Sequence, residues 1–450
     1  MALAVAVLGM RAGVEPFATW FYPFAWYSTL LVMEAAVARR DGRFFLLDRF
    51  AFALSIFGWS IPFWLVFELL NFRLANWYYV FVPDGAVARW TGIAISFATV
   101  LPAIFLAERA LRAYGPWQEP ASADHPTRET ARKKVGLTID VRALLALQVL
   151  GFACMVLPLL GPRLFFPLVW VGVTLIADTW VYRRDPGRSL LHDLETRRFR
   201  RPIRLLVGGM AIGLLWELFN EGARGKWIYT VPGLEELKLF EMPVLGFFGF
   251  PFLALEGWSA YQALVVAGAA VDPGGSAGSA DRRASIGARA VVRPGWALLT
   301  AGLVTVFSVL VLRGVERTTI SSTTPRLEDL DGPPAAELLA QSVDVFELAR
   351  ARPDDLSERI GASPEQARAW IDRARLVTLR GIGAANADRL RAVGVDSVRD
   401  LAGRDPESLA ARLAATGNAV SEARVRVWVR AAVQAVPTAL DRATHSTLES

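Results

Sequence analysis

The sequence predicts an all-α protein in two parts. One is a polytopic bundle of about eight transmembrane helices, and the other is a small soluble helical domain at the carboxyl end. Three observations carry this. Apolar runs near the ~20 residues that span a bilayer recur up to about residue 315 and then stop. Thirteen of the 15 Trp lie before residue 315. The charge divides at the same place: residues 316–450 hold 18 Arg, no Lys and 20 acidic residues, whereas the first part holds 31 basic against 23 acidic. The chain's net +6 is therefore a property of its apolar part, which points to membrane loops before a nucleic-acid groove. At 53% hydrophobic, the composition excludes a disordered chain. One Cys and three His leave no basis for a disulfide framework or a His/Cys metal site, and no cofactor is expected.

The runs fall at 17–38, 51–72, 91–112, 142–160, 165–182, 203–220, 244–268 and 295–313, the fourth and fifth parted only by residues 160–164. Arg11 and Glu15 follow the apolar start closely, and neither a basic leader nor a cleavage site is evident, so a cleaved signal peptide is not expected. The expected division is 1–115 first repeat, 116–141 cytoplasmic loop, 142–270 extra helix and second repeat, and 271–294 cytoplasmic loop. The last helix (295–313), a linker (314–334), the soluble domain (335–436) and a flexible tail (437–450) follow. Alternate loops carry 19 basic residues against 6 on the other side. The rich side is read as cytoplasmic, which puts both termini outside a bacterial-type inner membrane.

The membrane part is duplicated. Tyr22-Pro23-x-x-Trp26 recurs 144 residues later as Phe166-Pro167-x-x-Trp170, Glu34 matches Asp178, and Arg39-Arg40-Asp41 matches Arg183-Arg184-Asp185. Further on, Glu68-Leu69-Leu70-Asn71 matches Glu217-Leu218-Phe219-Asn220, and Trp77-x-Tyr79 with Pro83 matches Trp227-x-Tyr229 with Pro232. Pro102 and Glu108 answer to Pro251 and Glu256. Each copy is three helices, and the extra helix between them makes the repeats parallel, related by an axis along the membrane normal.

An acid inside a bilayer costs about 2.5–3.5 kcal/mol on insertion scales and tends to face the bundle interior for a reason. Glu68, Glu217, Glu256, Glu108 and the Glu34/Asp178 pair are therefore candidates, with Asn71 and Asn220 beside them. Glu68 and Glu217 also lie near helix ends, where they could instead reach interfacial water or pair with Arg73 or Arg224. Trp77, Tyr79, Trp227 and Tyr229 read either as part of a site or as an aromatic belt at the membrane interface.

Trp216-Glu217, then Gly225-Lys226-Trp227-Ile228-Tyr229-Thr230-Val231-Pro232, then Met242-Pro243, Pro251 and Glu256 resemble the layout of the integral-membrane lycopene cyclases. The resemblance covers about 200 residues. It implies tandem three-helix units around an isoprenoid cavity. Where that family carries an acidic pair after Pro, this chain has Pro243-Val244-Leu245-Gly246. Protonating a polyene needs a general acid, so the resemblance implies an isoprenoid- or lipid-binding architecture better than a working cyclase.

In the soluble part, Leu379-Arg380-Gly381-Ile382-Gly383-x-x-x-Ala387-x-x-Leu390 resembles a helix-hairpin-helix signature, whose glycines permit a tight turn and whose amides can hold a phosphate. The module is tandem: Leu348, Leu356 and Trp370 match Leu401, Leu409 and Trp428, and Gly332-Pro333-Pro334 stands as a degenerate first hairpin. DNA affinity rests on phosphate neutralisation, and a net charge of −2 disfavours it for this domain, although Arg380, Arg389 and Arg391 could form a patch. The expected partners are a membrane lipid or isoprenoid and, for the domain, another protein. The alternatives are a membrane anchor that tethers DNA or a protein through the hairpin, and a transporter.

Overall fold

The computed structural model describes residues 1–117, 139–231, 237–273, 294–330, 332, 334–341 and 343–436. The expected loops 116–141 and 271–294, the tail 437–450, Pro232 and Pro333 lie wholly or largely outside them. The chain forms two compact units. The first comprises the described residues of Met1–Asn76, Val87–Arg224 and Val231–Thr319. The second comprises Trp77–Ala86, Gly225–Thr230 and the described residues from Ile320 onward.

Helices of the first unit are α1 (Ala2–Arg11), α2 (Phe17–Asp41), α3 (Phe50–Leu74), α4 (Ala86–Phe97), α5 (Val100–Tyr114) and α6 (Val141–Leu160). They continue as α7 (Pro162–Phe165), α8 (Val169–Arg184), α9 (Leu190–Glu195), α10 (Arg200–Gly222), α11 (Gly249–Val266) and α12 (Pro294–Thr318). All eight expected apolar runs are helical. Among the described residues, six helical stretches are long and apolar enough to cross a membrane: 50–74, 86–114, 141–160, 162–184, 200–222 and 298–318. The protein is thus a multi-pass membrane protein. The other two runs form α2, which kinks at Trp20, and the 18-residue α11.

Two expectations need correction. The run 91–112 is not one helix but α4 and α5, broken at Ala98-Thr99. Ser60 of α3 bridges the break: its hydroxyl donates to the Phe97 carbonyl at 2.5 Å and accepts the Leu101 amide at 3.0 Å. Backbone groups cut off from water must find protein partners, and a buried serine supplies both. The linker expected over 314–334 is not a linker throughout, because α12 continues to Thr318 and residues 320–324 are hydrogen-bonded to another segment.

The copies are α2, α3 and α4–α5, then α7–α8, α10 and α11. The extra helix α6 packs on α8 through facing glycines. A Cβ on Gly172 would lie 2.5 Å from Met155 Sδ, and one on Gly151 2.9 Å from Leu175. Close approach of this kind supplies the packing that a lipid solvent cannot drive. In the same way Gly209 and Gly213 admit Phe250 of α11 against α10. Helix α5 lies deepest; Val100–Glu108 is buried without interruption. There Glu108 accepts Arg204 Nε of α10 at 2.7 Å, with the two side chains 8% and 1% exposed.

Among the described residues four short strands interrupt the helices: β1 (Trp77–Val80), β2 (Lys226–Tyr229), β3 (Lys238–Leu239) and β4 (Met242–Pro243). The second unit joins β1 and β2 to α13 (Ala335–Ala340), α14 (Val345–Arg350), α15 (Pro353–Ile360), α16 (Pro364–Thr378), α17 (Gly383–Arg391), α18 (Val398–Ala402), α19 (Pro406–Ala415) and α20 (Glu422–Ala435). Side-chain caps from Asp344, Ser363, Ser397, Asp405 and Ser421 start five of these helices, each satisfying amides the helix cannot. The matched pairs Leu348/Leu401 and Leu356/Leu409 occupy one core with Trp428, all at most 2% exposed.

Breaking a buried ion pair from one side leaves an uncompensated charge and costs about 3–5 kcal/mol. Arg204→Ala is therefore expected to lower the unfolding temperature of the detergent-solubilised protein sharply, and Glu108→Leu with Arg204→Leu to recover most of the loss. An unchanged transition in Arg204→Ala would contradict the role given to this pair.

Candidate functional site

The repeat matches become contacts in the first unit, and they cross between the copies. Trp26 of α2 packs on Trp216 of α10 with ring centroids 5.7 Å apart. Its counterpart Trp170 stacks on Phe67 of α3 at 5.5 Å. Phe67 precedes Glu68 and Trp216 precedes Glu217, so the two contacts are the same contact made twice. That is the reciprocal arrangement a twofold axis generates.

The strands obey the same rule. β1 and β2 pair antiparallel, Trp77 opposite Tyr229, Tyr78 opposite Ile228, Tyr79 opposite Trp227 and Val80 opposite Lys226. In repeat coordinates, Trp77 and Trp227 exchange partners and the axis passes between Tyr78 and Ile228. Side chains alternate across a strand, so Trp77, Tyr79, Trp227 and Tyr229 share one face of this ribbon. Tyr78, Val80 and Ile228 share the other and form an apolar cluster with Val427 of α20.

The buried acids sort into distinct roles. The Glu34 carboxylate accepts the Leu46 and Leu47 amides, the latter at 3.0 Å. Asp178, 144 positions on, accepts the Leu190 and Leu191 amides at 2.9 and 2.7 Å and the Ser189 hydroxyl at 2.7 Å. Both organise the chain that follows their helix, and the duplication has preserved that task. Glu256 Oε1 accepts the Val173 amide at 3.1 Å and ties α11 to α8. Asn71 Oδ1 accepts the Asn76 amide at 2.9 Å and closes the turn after α3; its counterpart Asn220 is likewise fully buried.

Glu68 and Glu217 are both 0% exposed, so protein rather than interfacial water surrounds them. Arg224, one of the ion partners considered for them, lies 3.7 Å from Glu15. Their settings differ in one respect. The Trp64 indole donates to Glu68 Oε1 at 3.0 Å. The position matching Trp64 is Gly213, where the Phe250 ring fills the space. Glu217 lies instead within charge-interaction reach of Tyr22, whose counterpart is Phe166.

The hairpin residues come together as a tight turn between α16 and α17. Gly381 and Gly383 have φ of +74° and +72°, and Arg380 itself is left-handed at +43°. This turn is covered. Ser322 Oγ donates to the Gly381 carbonyl at 2.6 Å. A Cβ on Gly381 would lie 2.4 Å from Val80, and one on Gly383 2.6 Å from Ser322. Residues 320–324 run parallel to β1, the Ser321 and Thr324 amides donating to the Tyr79 and Val82 carbonyls at 2.8 and 3.0 Å. Asn386 donates to the Ser321 carbonyl at 3.0 Å. Arg424 of α20 sits 4.8 Å above the Tyr78 ring. Burial pulls the Arg424 guanidinium below its ordinary pKa and the nearby Arg389 adds to this, while Tyr78 works in the opposite direction.

Sequence reasoning read Tyr78 as a belt residue and Ile228 as part of the Gly225–Pro232 stretch, gave Val80 no role, and missed Ser322, Asn386, Arg424 and Val427. The first three had a signal in the run of aromatic and β-branched residues at 77–80 and 226–229; the others had none.

Fold and site define a multi-pass helical membrane protein with a helical carboxyl-terminal domain. Residues 341–435 of that domain match a family described as a domain of unknown function (DUF4332). No curated protein matches the chain. No solved structure matches it.

Removing the acceptor at Asp178 leaves buried amides unpaired, at about 1–3 kcal/mol for each group. Asp178→Ala should therefore lower stability while the folded fraction keeps whatever lipid the native protein carries. Loss of lipid at unchanged stability would assign Asp178 to a binding site.

Proposed function

We propose that the membrane part binds a lipid of isoprenoid type and that the carboxyl-terminal domain, a tandem helix-hairpin-helix fold, is an interaction module. One observation carries the first half. Glu68 and Glu217 lie fully buried at matched positions beside the aromatic contacts that cross between the copies. The resemblance to lycopene cyclases supplies the ligand class. The chain is not read as a cyclase, because Val244-Leu245-Gly246 follow Pro243 where the acidic pair would stand.

Within this reading the copies differ. Trp64 donates an indole N–H to Glu68, while Gly213 stands at the matching position in the second copy, and Glu217, in charge-interaction reach of Tyr22, is read as the acid that meets a polar group on the ligand. Asn71, Asn220 and Glu256 of the same unit support it.

The domain is read as extracytoplasmic. It shares a compact unit with residues 77–86 and 225–230, which lie in two of the loops poor in basic residues. The reading as a DNA tether has less support, since Gly381, Ile382 and Gly383 are buried under the chain's own segments. The transporter reading has less support as well. Strands from the two copies pair with each other, and separating them would have to break that pairing.

Native mass spectrometry of the protein in mild detergent is expected to show a polyprenoid or other lipid, retained in Glu68→Gln and depleted severalfold in Glu217→Gln and Tyr22→Phe. A wild-type protein without bound lipid, or equal occupancy in Glu217→Gln, would sink this reading. For the tether, the full-length protein should not retard duplex DNA at about 50 mM salt, where phosphate contacts are strong.

A further inference from the structure

The reading of the domain as an interaction module leaves its partner unnamed, and the second unit supplies one. We propose that the hairpin face of the carboxyl-terminal domain is a receptor for the ribbon that the two repeats build jointly, so that the tail fastens the copies together at their outer loops. The inference rests on the module reading and is independent of the lipid.

The fit is specific to the paired ribbon. Val427 contacts an apolar patch made of Tyr78 and Val80 from one copy and Ile228 from the other, and neither strand alone presents it. Gly381 lies so close to Val80 that a side chain there would overlap it, and the residue's φ of +74° suits glycine. Phe346 of α14 meets Phe81 edge to face at 5.7 Å. Arg326 pairs with Asp84. Between domain and ribbon, residues 320–324 act as a third strand. Ser322 relays them, accepting the Phe81 amide at 3.4 Å and donating to Gly381.

The ribbon needs such a cover. Two four-residue strands are marginal by themselves, and these two come together from positions about 150 residues apart, at a loop-closure cost that no local turn offsets. The third strand and the apolar patch under Val427 provide what the pair lacks. The same contacts bury the turn whose amides would otherwise be offered to a phosphate. A hairpin of this shape thus serves here to grip a β-ribbon.

The test uses the full chain with a protease site inserted at residues 331–334, purified in detergent and cleaved. Residues 320–330 stay with the membrane fragment, and Leu327 and Leu330 among them reach the domain core, so the grip on the ribbon is read from the change in retention when ribbon-facing residues are altered. The wild-type domain fragment should co-elute with the membrane fragment on size exclusion. Val80→Asp, which leaves the domain's own sequence intact, should release it with at least a tenfold weaker apparent affinity, and Arg424→Ala with Val427→Ser should do the same from the other side. Dissociation of the wild-type fragment, or full retention in both variants, would overturn the proposal. Retention is scored whether or not a lipid is present, so failure of the lipid reading leaves this result interpretable.

Discussion

Reciprocity between the two copies is the constraint on which the other features hang, and it holds inside each unit. In the first, Trp26 meets Trp216 as Trp170 meets Phe67, so the acids next to those aromatics are held in two related settings rather than one. In the second, Trp77 pairs with Tyr229 as Tyr79 pairs with Trp227.

Much of the helical architecture was legible from residue order. Each of the eight apolar runs proved helical in the main, and six of the described stretches are long and apolar enough to cross a membrane, because spanning a bilayer imposes a length that composition reveals. The repeat was legible because Trp, Pro and acids are rare enough in apolar sequence to align. The outer ribbon was not. Its strands are four residues long, too short for periodicity, and their pairing is non-local, so Trp77 and Tyr229 looked like belt residues. The break at Ala98-Thr99 was hidden for a related reason. Pro102 in this run fits the first turn of a new helix, but the groups that make the break tolerable belong to Ser60, about forty residues earlier.

The candidate acids were legible as a set but not by role. Sequence placed Glu34 and Asp178 in one class with Glu68 and Glu217, since all are acids at matched positions. What separates them is the geometry of the following loop. Leu46-Leu47 and Leu190-Leu191 bring amides back to the first pair. Likewise Glu108 could be read as buried, but nothing in the sequence pointed to Arg204 as its cation. Desolvated charges are chosen by partners distant in the chain, which no local pattern reports.

The third strand has a consequence for the duplication itself. A twofold ribbon offers two equivalent edges, and the chain possesses one tail. Residues 320–324 pair with β1, which makes the first copy's strand the middle of three, and treating β2 alike would take a second tail. Equality between the halves therefore ends where the tail attaches. The surroundings of the two strands are no longer identical, so residues on β1 and β2 are free to diverge, as Tyr78 and Ile228 have. An ancestor with a single three-helix unit would have met its own copy across the same axis as a homodimer, and there neither half could have been singled out.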